Sequence, residues 1–157
     1  MLAKHSEKEM QVYFEIDIEA SPEQVWAQLA SIEGMNQWFS SKLIFEFEVG
    51  GEFRMEVNIP EDGEFTFFGE VLKIDPYNEL AFTWTEHERG KNPWPVSTLV
   101  SFKLEPIDNG TRVSLTHTGF ENLDASIAQK EFEGHIEGWE RSATLSDLKK
   151  VVEADLK

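Results

Sequence analysis

"KEFEGHIEGWERSATLSDLKKVVE", Lys130–Glu153, repeats its apolar residues at helical spacing: Phe132, Ile136, Trp139 and Ala143 fall on one stripe, continued by Leu148 and Val152. The pattern runs from about Ser126 to Leu156. Roughly thirty residues rising about 1.5 Å each predict a helix about 45 Å long. Lys149 and Lys150, near its end, suit the negative pole of the helix dipole. Two glycines, Gly134 and Gly138, stand in its interior, where each costs about 1 kcal/mol relative to alanine.

Everything upstream has a different period. In "QVYFEIDIEA" Val12, Phe14, Ile16 and Ile18 alternate with Glu15, Asp17 and Glu19, which predicts a half-buried strand. "SPEQVWAQLAS" then starts a helix: Ser21 caps, Pro22 suits the first turn, and Gln24 completes a capping box. Val25, Trp26 and Leu29 form its buried stripe, and "IEGMNQWF" gives a second short helical turn ending in a rim-like Trp38-Phe39 pair.

Strands follow. "KLIFEFEV" and "EFRMEVNI" flank Gly50-Gly51, which reads as a two-residue hairpin turn. Asp62-Gly63, Pro76-Tyr77-Asn78 and Asn109-Gly110 mark three more turns, and "EHERGKNPWP" is a longer polar loop. Successive hairpins make an antiparallel sheet, one face of which is wet. The fold class is therefore α+β, a single domain over 1–157 with its core at about 10–156.

Strand parity gathers Phe14, Phe45, Phe47, Phe53, Met55, Phe65, Phe67, Phe82, Trp84, Val100, Phe102 and Leu115 on one face, with His117 in phase. Gly69 marks a place where a long strand bends or bulges. The terminal helix is the only element long enough to cover this face. Its glycines then mark either close contact with the sheet backbone or a stretch standing over a hollow. Large rings such as Trp84, Phe132 and Trp139 prop the layers apart and favour an apolar cavity; plain core packing is the other reading.

Composition narrows the function. The 157 residues hold 14 Lys+Arg against 30 Asp+Glu, a formal net charge of −16. Such a surface repels phosphate backbones and anionic headgroups, so neither nucleic acid nor membrane is an expected partner. The absence of cysteine removes disulfides, thiol nucleophiles and Cys-bearing zinc sites. "MLAKHSEKEMQ" has no apolar leader segment, and the expected location is cytoplasmic.

"IEASPEQVWAQLA", "VGGEFRMEV", "GEVLKIDPYNELAFTW", "TLVSFKLEP", "GTRVSLTHTGF" and "EGWERSATLSDLK" occur in an order that resembles the activator of heat-shock protein 90 ATPase homologue family, within the START-like (polyketide cyclase, birch-pollen-allergen-like) superfamily. The resemblance covers nearly the whole chain from about residue 10. It implies the helix-grip fold: a curved antiparallel sheet wrapped around a long C-terminal helix, with two short helices after the first strand. It also implies an internal cavity for a lipid-, flavonoid- or polyketide-like molecule. The separate N-terminal domain by which eukaryotic activators engage the chaperone has no counterpart in these residues.

Little else carries chemistry. No phosphate loop or metal-ligand spacing is present, and "EHE" at 86–88 reads as a solvated face, so neither metal nor cofactor is expected. No residue is assigned as catalytic. His117 is the one inward imidazole, open either to a ligand hydrogen bond or proton transfer, or to satisfaction by a backbone carbonyl or His135. The expected ligand-lining set is Trp38, Phe39, Phe53, Met55, Phe67, Trp84, His117, Phe120, Phe132, Ile136 and Trp139. Three functions fit: binding of a small apolar or aromatic molecule, a cyclase or hydrolase using the same cavity, and a chaperone-regulating interaction module.

Overall fold

Ser21 caps helix α1 (Pro22–Leu29) with the capping box expected of it, its hydroxyl accepting from the Gln24 amide while the Gln24 side chain accepts from the Ser21 amide. The helix leaves strand β2 (Val12–Ile18) and leads through Ser31 into α2 (Ile32–Trp38). The computed structural model describes all residues, Met1–Lys157. A two-residue strand, β1 (Leu2–Ala3), precedes β2 and pairs with it. Six strands follow: β3 (Leu43–Phe45), β4 (Glu52–Ile59), β5 (Gly63–Asp75), β6 (Glu79–Glu88), β7 (Thr98–Ile107) and β8 (Gly110–Thr118).

All pair antiparallel in one eight-stranded sheet of order β1-β2-β8-β7-β6-β5-β4-β3. The turn before β4 differs from expectation. β3 ends at Phe45, and Gly50-Gly51 close a six-residue connection, 46–51, in place of a two-residue turn. The bend foreseen near Gly69 is present as a register shift between Val71 and Lys73. Here β5 and β6 come so close that a Cβ on Gly69 would fall on the Thr83 carbonyl oxygen.

The concave face is lined by the rings that parity assigned to it. Phe53, Phe82, Phe102, Phe14 and Leu115 are buried, and they join Val25, Leu29 and Met35 of the small helices in one core. The C-terminal helical region spans the expected residues in two pieces, α3 (Ala125–Arg141) and α4 (Leu145–Asp155). A single 45 Å rod does not form, because "TLSD" at 144–147 is itself a helix start. Thr144 and Asp147 make a reciprocal capping box, and Ala143 takes a left-handed φ of 54° to turn the chain. α4 packs against β2, α1 and α2, while α3 lies beside the 3-10 turn Phe120–Asn122 and carries Phe132 and Trp139 into the core. No helix is long and apolar enough to cross a membrane.

Gly134 and Gly138 overturn the reading placed on them. Both are exposed, and a Cβ at either position would meet nothing within 4 Å. They neither touch the sheet nor roof a hollow; they face away from it. Alanine at each should therefore stabilise the protein by about 0.5–1 kcal/mol, through helix propensity and a less flexible unfolded chain. Thermal melts of Gly134→Ala and Gly138→Ala check this, and a lowered melting temperature would contradict the outward orientation.

Candidate functional site

β6 supplies two inward side chains in succession, Trp84 and Glu86, because residues two apart on a strand share a face. Phe67 of β5 stands opposite Glu86 in register, and His117 of β8 lies beside Val100 of β7. From above, α3 lowers Glu131, Phe132, His135 and Trp139, and the 3-10 turn adds Phe120.

The aromatic candidates form one connected array. Trp84 lies 5.4 Å from Phe53, 4.8 Å from Phe67 and 5.5 Å from both Trp139 and His117, centroid to centroid. Phe39 reaches Trp139 at 6.0 Å and Trp38 at 5.4 Å; Phe120 lies 4.5 Å from His117 and 5.9 Å from Phe132. Met55 is buried in the same core, and Ile136 packs half-buried against it. Trp38 and Phe39 are 5% and 7% exposed, so the expected rim-like pair is interior packing. These rings stand in contact with one another around the place where an apolar cavity was expected, so a guest there needs the rings to part. Two grooves lie outside it: one is lined by Tyr13, Glu15, Lys103, Arg112 and Ser114, whose parity is that of the wet face, and another by Asp17, Asn109 and Lys149.

His117 is satisfied through partners other than those expected. The indole N–H of Trp139 can only donate, so Nδ1 of His117 accepts it, at 3.1 Å. The ring proton then sits on Nε2 and donates to Thr98 Oγ1 at 2.7 Å, while that hydroxyl donates to the Trp84 carbonyl at 2.8 Å. Both nitrogens are spent on this chain. Burial, with His135 nearby, holds the imidazole well below its usual pKa, so it stays neutral and has no proton or free lone pair for a substrate.

Three other donors are not satisfied. Trp84 Nε1, Trp38 Nε1 and His5 Nε2, whose Nδ1 accepts from the Tyr13 amide, are buried without any acceptor. A buried N–H lacking a partner costs about 1–3 kcal/mol, so a water or a ligand oxygen placed against it would be stabilising.

Glu86 corrects the reading of "EHE" as a solvated face. It is half-buried and meets Glu131: one oxygen of each and one ring nitrogen of His135 all lie within 4.8 Å of one another. His87 turns the other way and bonds the Lys91 carbonyl, and Glu88 pairs with Lys91 at 2.9 Å. Burial, together with the Glu131 charge, pushes the Glu86 carboxyl up to about 8; burial also raises Glu131. At neutral pH the two carboxyls therefore share a proton. His135, in a box of rings with Phe67, Trp84, Trp94 and Phe120 at 5.2–6.4 Å, donates from Nδ1 to the Glu131 carbonyl at 2.7 Å. Burial lowers its pKa to about 4. Glu86, Glu131, His135 and Trp94 all fell outside the expected lining set.

A pH dependence follows. The raised Glu86 favours the fold below its ordinary pKa of 4.5, and that contribution is lost as pH rises toward about 8. The two depressed histidines act oppositely, losing stability as pH falls below 6.5. The trends oppose one another between those limits, and only the carboxyl loss remains above 6.5. Stability should therefore decline by on the order of 1 kcal/mol between pH 6.5 and 8. Melts across this range check it: Glu86→Gln should flatten the decline, and an unchanged slope would remove Glu86 as its source.

The family described as Activator of Hsp90 ATPase homolog 1-like protein matches residues 19–153. No curated protein matches the chain. Among solved structures, protein MLL2253 from Mesorhizobium loti is 22% identical with a TM-score of 0.70, over 92% of this chain and 97% of that one. A protein from Arthrobacter aurescens is 18% identical with a TM-score of 0.75, over 98% and 91%. Ms6760 from Mycobacterium smegmatis is 17% identical with a TM-score of 0.73, over 100% and 96%. These likenesses establish the helix-grip architecture.

Proposed function

Because the chain belongs to the Activator of Hsp90 ATPase homolog 1-like family, we propose that it is a ligand-binding domain that takes a small aromatic molecule into the ring-lined interior between sheet and α3. The observation that carries this reading is the buried, acceptorless indole N–H of Trp84, set among π faces at the end of the sheet. A planar guest with a carbonyl or phenol oxygen would satisfy that donor and stack on Phe67 or Trp84. The way in is the connection 89–97, every residue of which is exposed except Trp94. The Trp94 ring lies 5.5 Å from His135, and an outward swing of that ring is the proposed entry step. The spent hydrogen bonds of His117 favour binding over turnover.

A screen of flavonoid-like compounds and fatty acids, read by tryptophan fluorescence and amide shifts, tests the proposal. Trp84→Phe removes the unpaired donor, so it should leave the free protein about as stable as before while weakening an oxygen-bearing ligand about fivefold to tenfold, the worth of one hydrogen bond. Saturable binding that ignores Trp84→Phe would move the site elsewhere, and no response at micromolar to millimolar levels would end the reading.

A further inference from the structure

We propose that the ligand is an organic cation, an aromatic compound bearing a protonated amine, held between the Glu86–Glu131 carboxyls and the rings of Phe67, Trp84 and Trp94. This rests on the binding function proposed above and names its ligand class.

The first argument is charge without a partner. Half-buried Glu15 and Glu79 have a basic partner, Lys4 and Lys73 at 3.3 and 2.9 Å, as Asp17 has Arg112 at 2.8 Å, while strand carboxylates without one, such as Glu70 and Glu105, stand exposed to solvent. Neither Glu86 nor Glu131 has a lysine or arginine within 4.0 Å. His135, at 4.0 Å from Glu131, is neutral at pH 7, and Lys130 and Lys91 act on the pair only from beyond salt-bridge distance. Two carboxyls brought together from different elements, half-buried and without a salt bridge, are stabilised by something positive between them: a proton, or a cation of the right size.

The second argument is the company they keep. Trp84 is 4% exposed with its indole nitrogen unpaired, and it lies on the same strand face as Glu86, one pleat away. Phe67 is the cross-strand neighbour of Glu86. Trp84, Phe67 and Trp94 also surround His135, the residue that completes the carboxyl cluster. Aromatic faces beside carboxylates are the chemistry that recognises an ammonium group, through the ring quadrupole and the opposite charge together. The Trp84 N–H adds a need for an acceptor atom on the same molecule. The formal charge of −16 would draw such a cation toward the surface.

Calorimetric titration with three probes of one shape, each carrying a phenol oxygen for the Trp84 N–H, tests this: the amine tyramine, the neutral alcohol 2-(4-hydroxyphenyl)ethanol and anionic 3-(4-hydroxyphenyl)propionate, near pH 7 and at about 0.15 M salt to screen the general surface field. The amine should bind at least about tenfold more tightly than the alcohol, as a hydrogen-bonded charge pair requires, and the anion most weakly. In Glu86→Gln/Glu131→Gln the amine should fall to the level of the alcohol, with alcohol binding unchanged. Should the double variant not fold, Glu131→Gln alone should cost the amine about threefold or more. Equal affinities for amine and alcohol would overturn the cation and leave the aromatic binding site standing. An amine preference that survives the substitutions would place it on the acidic surface and also overturn the proposal. If none of the three binds up to millimolar levels, the binding site falls along with the cation.

Discussion

Trp139→Ala is expected to destabilise the protein by about 4–6 kcal/mol, much of the stability of an ordinary domain. The ring is 4% exposed and sits among Phe39, Trp84 and Phe102, so its removal opens a void that costs about 3–5 kcal/mol. It also leaves Nδ1 of a fully buried His117 without its donor, adding on the order of 1 kcal/mol or more. For a chain of this size the melting temperature should fall by about 10–20 °C. Trp139→Phe keeps a ring and loses the bond, so its cost should be about 1–3 kcal/mol, with a change in the nitrogen-15 shift of His117 Nδ1. A loss below about 2 kcal/mol for the alanine variant would mean that α3 does not seat this ring in the core.

Gly69→Ala should be strongly damaging for so small a change, at about 3 kcal/mol. The added methyl would clash with the Thr83 carbonyl oxygen and stand 2.6 Å from its carbonyl carbon, and backbone cannot step aside as the end of a side chain can. Either β5 and β6 separate locally, losing the Glu70 amide bond to Thr83 Oγ1 at 2.8 Å, or the bulge is redrawn. The contrast with Gly134→Ala makes the test sharp: the same substitution should stabilise in one place and destabilise in the other. Melts of equal midpoint would refute the close approach of the two strands.

These contrasts show how far the sequence could be read. Alternation in "QVYFEIDI" and the turns around Asp62 and Asn109 were enough for an antiparallel sheet, because each hairpin is a local decision between neighbours. The inward rings followed from parity alone. The outward direction of the α3 glycines is also legible in the chain. At 3.6 residues per turn Gly134 lies roughly 200° around the helix from Phe132, on the far side from the core. The break before α4 was also written in the chain, as the capping pattern of Thr144 and Asp147. The Glu86–Glu131 meeting was not legible, because each residue alone reads as solvated charge. Only the placement of α3 against the end of β6, some forty-five residues earlier in the chain, brings them together.

The order of strands has a consequence for how the molecule is made. β2 pairs with β8 along its whole length, Val12 against His117 through Ile18 against Thr111. As the chain is synthesised, β2 has only the two-residue β1 beside it until almost a hundred further residues have emerged and β8 can pair along its length. By then β4 to β7 can zip in succession, each onto the one before. The sheet is thus expected to grow from its middle outward, with β2 docking late. Until β8 and α3 arrive, the aromatic face stays uncovered, and the many acidic side chains of the opposite face are what keep nascent molecules from adhering to one another.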